Sequence, residues 1–228
     1  MVRRVWKVIA EVPPEEAELL DDCHEIIAVT GKFIADSALF ENLGKNERVV
    51  FYIVQASWGF LRSILSEWFD RGYHSAYVLG RALTEYYIEA CFIPKEDTAG
   101  RGAEFEEAWK TPGRDPYKRV AKFEKYASLK ARAKSVGLER LYAGSYKSLC
   151  NFSHLDLRGS LIARQSPKFS KDKAFFLIAM MQLYLELLDI ISKRLAVIYP
   201  APMQTLIRDK LAKFEQMIPK EKQVYPSL

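Results

Sequence analysis

Tyr73-His-Ser-Ala-Tyr-Val-Leu-Gly-Arg-Ala-Leu-Thr-Glu-Tyr-Tyr-Ile-Glu-Ala-Cys-Phe-Ile93 begins after Arg71-Gly72 and runs into Pro94. A glycine turn before and a proline after punctuate a helix of five to six turns. At 100° per residue, His74, Arg81, Glu85 and Glu89 fall within about 80° of one another. Leu79, Ala82, Leu83, Tyr86, Ala90 and Ile93 cover the other side. A helix this apolar is buried over most of its circumference, so its charged stripe faces either water or groups that answer the charge.

Helical spacing continues on both sides of this stretch. Pro13-Pro14-Glu15-Glu16 opens a helix, with proline in the first turn and acids at the positive end of the dipole. Apolar residues including Leu19, Leu20, Ile26, Ile27 and Phe33 carry it to about Phe40, and Gly44 closes it. Asn46 is placed to cap a second helix, Glu47 to about Asp70, in which Val49, Val50, Ile53, Trp58, Leu61, Ile64, Leu65 and Trp68 recur at three and four. The Arg71-Gly72 turn is so short that the helices on either side of it should be antiparallel neighbours.

Downstream of Pro94 a polar connection leads to a short amphipathic helix around Glu104–Trp109. Tyr117–Lys134 reads as a basic helix, and Gly137 ends it. Leu138 to about His154 forms one more. Arg158–Lys173 reads as an exposed basic loop. Ala174–Tyr199 is the most hydrophobic helix, starting with Ala-Phe-Phe-Leu-Ile-Ala-Met-Met. That run is shorter than the ~20 apolar residues of a membrane span, so it reads as the core helix or a subunit interface, and no membrane association is expected. Met203–Ile218 is the last helix. No alternating Val/Ile/Thr-rich run, hairpin signal or internal repeat occurs. The fold class is therefore all-α: an up-and-down bundle of about five long helices with shorter ones attached. It forms a single domain over 1–228, with 1–12 loosely held and 219–228 a charged tail.

Composition bounds the function. With 49% hydrophobic and 28% charged residues over 228 positions, the chain can build a full core without a disulfide or metal staple. Its three cysteines, Cys23, Cys91 and Cys150, are an odd number without Cys-x-x-Cys spacing, which suits a reducing compartment. The apolar stretch after Met1-Val-Arg-Arg is broken by Lys7 and ends at Glu11, too short for a signal peptide, so a cytoplasmic location is expected. A net charge of +5 admits an anionic partner without requiring one.

Candidate chemistry concentrates on two helices. On the one ending at His154, Arg140, Lys147, Asn151 and His154 lie within about 60° of each other, with Leu138, Leu141, Leu149 and Phe152 behind them. If this stripe faces that of Arg81 and Glu85, the two enclose a polar pocket. An arginine binds phosphate with a two-pronged fork, a histidine is the usual acid/base near neutral pH, and a carboxylate or amide orients either. The competing reading is structural: Arg81 and Glu85 form an ordinary helical pair, and His154 caps a helix end.

A second candidate is Lys118, Lys122 and Lys125, interleaved with Tyr117, Phe123 and Tyr126, which could follow a phosphate backbone; its structural counterpart is a solvated basic face. Asp21, His24 and Glu25 share a face, but a di-iron bundle needs two Glu-x-x-His pairs, and Asn151-Phe-Ser-His154 has an amide in the carboxylate position. Neither a metal nor a cofactor is expected. Phosphate-loop, dinucleotide and serine-hydrolase motifs are absent.

The region from Leu61 through Ile93, with Arg81-Ala-Leu-Thr-Glu85 after a Gly-Tyr turn, followed by Tyr146-x-x-x-Cys150-Asn-x-Ser-His154, resembles an uncharacterised bacterial family of all-helical proteins. The resemblance covers most of 45–200. Through that family the chain is distantly similar to the HEPN group of helical RNases and nucleotide-binding proteins of defence and toxin systems. HEPN proteins carry an arginine four to six residues before a histidine on one helix. Here Lys147, seven residues before His154, is the nearest basic residue on that stripe.

The resemblance implies a catalytic or binding set of Arg81, Glu85, Asn151 and His154, acting on RNA or a nucleotide without a metal. The alternative is a non-catalytic interaction module in which the same residues form a buried polar network. A homodimer through an apolar helix face is expected in either case.

Overall fold

The computed structural model describes residues 12–35, 43–70, 72–93, 128–153, 171–194 and 199–217. These form α1 (Pro14–Ile34), α2 (Lys45–Phe69), α3 (Tyr73–Phe92), α4 (Leu129–Ser135), α5 (Glu139–Leu141, a π-helical turn Tyr142–Tyr146, then Lys147–Ser153), α6 (Lys171–Arg194) and α7 (Ala201–Met217). Among the described residues there is no strand, and five of the helices are long, as an all-α reading requires.

Side-chain contacts give the directions. Trp58 Nε1 donates to the Ile27 carbonyl and Trp68 Nε1 to Glu16, so α1 and α2 are antiparallel. Trp68 packs edge-on against Tyr73, and Phe60 against Tyr86, so α2 and α3 are antiparallel as well. Tyr77 meets Phe176 and Tyr87 meets Glu186, which sets α6 parallel to α3. Lys210 reaches Asp22 and Lys213 reaches Glu18, placing α7 antiparallel to α1. The result is an up-and-down bundle.

Gly80 shows how closely its helices approach. A Cβ there would stand 2.6 Å from Phe176 Cε2 and 2.9 Å from Met180 Sδ, so α6 can rest on α3 only because residue 80 has no side chain.

Several boundaries differ from the expectation. α2 starts two residues before Glu47: Gly44, extended at φ −65° and ψ 172°, takes the cap position, and Asn46 is inside the helix. The Glu47 carboxylate folds back into the space beside Gly44 that a Cβ would fill. The basic helix is interrupted at Ser128, whose extended backbone caps α4 while its hydroxyl accepts the Ala131 N–H. Residues 117–127 lie outside the described residues, as does the short helix expected near Glu104–Trp109.

Gly137, with φ of 78°, closes α4 in a Schellman motif: its N–H donates to the Lys134 carbonyl and that of Leu138 to the Ala133 carbonyl. The loop expected at 158–173 ends earlier than its charges suggest. Lys171–Lys173 is already the first turn of α6, and Lys173 is buried with its ammonium 3.8 Å from the Tyr73 ring centroid. The aromatic face offsets part of the cost of desolvating the lysine. Residues 154–170 lie outside the described residues.

α6 is the most enclosed helix, with Leu177, Met181, Leu183, Leu185, Leu187 and Leu188 at zero exposure. Both α6 and α2 are long and apolar enough to cross a membrane by length and composition, a property not expected from the apolar run at 174–181 alone. Cys23 and Cys91 are buried thiols outside any disulfide, and Cys150 is a half-buried one.

One polar group is lodged within the α3–α6 contact. Glu186 accepts hydrogen bonds from Tyr87 Oη at 2.8 Å and Gln182 Nε2 at 3.0 Å. Burial nonetheless raises its carboxyl above the ordinary carboxylate value, helped by the nearby charges of Glu215 and Asp189. The folded state therefore holds this proton more tightly than the unfolded chain. Its stability contribution is full below the ordinary carboxylate pKa and is lost as pH rises through the raised one. Glu186→Gln keeps an acceptor for Tyr87 without the charge. Its Tm at pH 7 should exceed the wild-type Tm by a few degrees, at about 2–4 °C per kcal/mol for a chain this long, and the gap should close as pH falls towards 4. A constant gap across that range, followed by thermal denaturation at successive pH values, would remove the charge as the cause.

Candidate functional site

The α3 stripe divides into three environments. His74, at the helix start, is exposed. Glu89, about four turns along, is buried and meets Arg132 of α4, Nε to Oε1, at 2.8 Å, with both side chains under a tenth exposed. Between them Arg81 and Glu85 are half-buried. At this end of the stripe α4 comes down on α3 and brings the Arg132 guanidinium to the buried Glu89 carboxylate.

Arg81 faces α5. Its Nη2 donates to Tyr146 Oη at 3.3 Å, and the guanidinium carbon is 5.5 Å from the Tyr146 ring centroid. Tyr146 in turn stacks on Tyr142, centroids 5.3 Å apart at 21°, and Lys147 Nζ lies 5.8 Å from the Tyr142 ring. Two tyrosines on the π turn are thus flanked by two cations.

The hydrogen bond to Tyr146 raises the Arg81 pKa further, against the opposing effect of its burial, so Arg81 is a permanent cation. Burial raises the Tyr146 phenol above its usual value, with Glu85 and Cys150 adding to it, while the hydrogen bond from Arg81 works the other way. Tyr146 is therefore a neutral phenol near pH 7. Its oxygen accepts from Arg81, and its own hydrogen remains to be donated.

The π turn explains which part of the two-stripe expectation fails. A π-helical turn inserts one residue into the helical register and so rotates everything after it by roughly 100°. Face assignments made at constant 100° spacing across 142–146 do not survive that rotation. Arg140 and Lys147, expected on the wall facing Arg81, are exposed, and Tyr146 and Cys150 occupy the side that α3 meets. Asn151 is in the last stretch of α5. His154 lies outside the described residues, as do Lys118, Lys122 and Lys125.

Tyr146 is thus the site residue that side-chain type and angle did not single out, although it opens the Tyr-x-x-x-Cys segment that leads to His154. Its signal was the four-residue spacing to Cys150, which is insensitive to the π turn upstream.

Glu18, Asp22 and Glu25 on α1 serve ion pairs with α7. Lys210 bridges Asp22 and Glu25, with Nζ–O distances of 2.5 and 2.7 Å, and Lys213 bridges Glu18 and Asp22 at 2.7 and 2.6 Å. Among the described residues no group of three or more His, Cys, Asp and Glu side chains is placed to share a metal ion.

No family model, no curated protein and no solved structure matches this chain. The class is accordingly the one its own geometry defines: an all-α up-and-down bundle carrying a guanidinium–phenol donor pair at the seam between a long helix and a π-interrupted one.

Proposed function

We propose that the protein binds a phosphate-bearing ligand, a nucleotide or a stretch of RNA, at the α3–α5 seam. The observation that carries this reading is the Arg81–Tyr146 pair: a half-buried cation and a neutral phenol, 3.3 Å apart, with the phenol hydrogen left to donate. Two donors side by side, one of them charged, suit the oxygens of a phosphate. Glu85, one turn along α3, orients the guanidinium. Asn151 and His154, at and just beyond the end of α5, complete the set, with His154 as the acid/base of a phosphodiester cleavage in which Arg81 supplies the positive charge. Lys118, Lys122 and Lys125 would extend the phosphate track.

A second reading, a non-catalytic interaction module, draws on the Glu89–Arg132 pair, since the same stripe there is closed and fixes α3 against α4.

Fluorescence anisotropy with a labelled RNA oligonucleotide, competition by ATP and gel-resolved cleavage test the two. Arg81→Ala should weaken binding by about 10- to 100-fold, the range of a lost charged hydrogen bond, and Tyr146→Phe by about 3- to 10-fold. His154→Ala should leave binding within a factor of about two and slow cleavage by about 100-fold or more. Wild type and Arg81→Ala binding equally well would discard the site, and a wild type that binds neither probe would leave the interaction module.

A further inference from the structure

α2 is apolar enough to pass for a membrane span, yet only 50% of its most apolar window is buried, against 72% for α6. The side left outside the bundle is a narrow stripe. Along it Tyr52, Ser63, Ser66 and Asp70, exposed, and Arg48, Ala56 and Gly59, half-buried, recur at helical spacing, about 33 Å from first to last at 1.5 Å per residue. Tyr52, at 46% exposure, is the most exposed large hydrophobic residue among those described. Phe60 and Tyr86, half-buried and 5.3 Å apart, widen the apolar surface towards α3.

Two features say what covers it. Gly59 is in the middle of a helix, where glycine costs roughly 0.5–1 kcal/mol relative to alanine. A Cβ at this position would meet nothing within 4 Å, so packing among the described residues does not call for a glycine. Close approach of another backbone does.

The charges are also arranged symmetrically about it. Arg48 stands eleven residues before Gly59 and Asp70 eleven after, three turns either way and hence on one face. Each carries the sign its end of the helix dipole disfavours, a cation near the N-terminus and an anion at the C-terminus. Neither makes an ion pair among the described residues. Arg62, a further cation on this side among the described side chains, lies over its own Trp58 ring at 5.6 Å.

We infer that a second copy of the chain docks here, α2 against α2 in antiparallel fashion, with a two-fold axis passing beside Gly59. The symmetry pairs Arg48 of each copy with the other copy's Asp70, so both misplaced charges are answered twice over by one operation. It also brings the glycine backbones together at the crossing point, where any larger residue would hold the helices apart.

Sedimentation velocity and light scattering on the full chain read the result. Wild type should run at twice 26.3 kDa at roughly 50 µM. Gly59→Arg should run as a monomer with unchanged far-UV circular dichroism and a Tm no lower than that of the monomeric wild type at high dilution, since its side chain enters open space. Asp70→Arg, a surface change that suits the helix C-terminus, should weaken the dimer at least 10-fold by setting Arg48 against an arginine. Arg48→Glu with Asp70→Arg should restore it. Gly59→Cys should cross-link to a dimer under mild oxidation, with wild type as the control for the three native cysteines.

A monomeric wild type at that concentration overturns the inference. So does a dimer that persists in Gly59→Arg, or one that the charge exchange does not rescue. If Gly59→Arg fails to fold, the single and double charge variants decide the matter by the same criteria.

Discussion

Glu89→Ala is expected to destabilise the protein by roughly 3–5 kcal/mol, because it leaves the Arg132 guanidinium buried without its carboxylate. For a chain of this length that corresponds to a Tm lower by about 6–20 °C. The contact joins the last turn of α3 to α4, and both side chains are nearly sealed from water, so solvent cannot replace the lost partner. Arg132→Ala should cost a similar amount, for the mirror-image reason.

The pair as a whole is worth far less than either deletion suggests, because its attraction repays a large desolvation cost. Glu89→Leu combined with Arg132→Met should therefore lie within about 1–2 kcal/mol of wild type. Urea denaturation of the two single variants and the double variant forms the test. A double variant as unstable as the singles would show that the pair is a net source of stability and not a self-cancelling one.

Trp68→Ala has the second large effect, about 3–5 kcal/mol from lost area and cavity alone. Trp68 is at zero exposure and joins three other helices: its indole N–H donates to Glu16 Oε1 on α1 at 3.0 Å, its ring meets Tyr73 on α3 at 4.9 Å, and it stacks on Phe176 of α6 at 5.9 Å. Removing it also takes a donor from a carboxylate that is itself at zero exposure. Trp68→Phe separates the two contributions, keeping much of the ring packing while removing the N–H. It should lose about 1–3 kcal/mol. If Trp68→Phe is as stable as wild type in thermal melts, the Glu16 contact is not a source of stability.

These positions also show what can be read along a chain. α3 was legible from Tyr73 to Phe92 because a glycine turn and a proline bracket a run with strong helical spacing. The five long helices were legible because each buries a continuous apolar face that recurs at three and four residues. Gly137 was legible as a helix end because only a residue without Cβ takes its left-handed conformation at no cost. Helix starts were harder. Asn46 has the better capping side chain, but Gly44 holds the cap, since the Glu47 carboxylate folds into the space its missing Cβ leaves open.

In the site, Arg81 and Glu85 were legible as charges out of place on an apolar helix. Tyr146 was legible only as the start of the Tyr-x-x-x-Cys segment and not as the partner of Arg81, because tyrosine is ordinary in a core and its face relative to the start of α5 depends on the π turn between them.

What the sequence by itself determined is the helical content, the positions of the long helices and the presence of a polar stripe on α3, since these depend on contacts a few residues apart. Only the tertiary structure decided which charge on that stripe meets which partner. Glu89 is sealed by Arg132 and Arg81 is set on Tyr146 because α4 and α5, more than 40 residues downstream, pass over different turns of the same helix. The one-residue slip of the π turn selects the side chain that arrives there. Whether a buried charge is closed or left with a donor to offer is a property of that long-range register, which no local periodicity encodes.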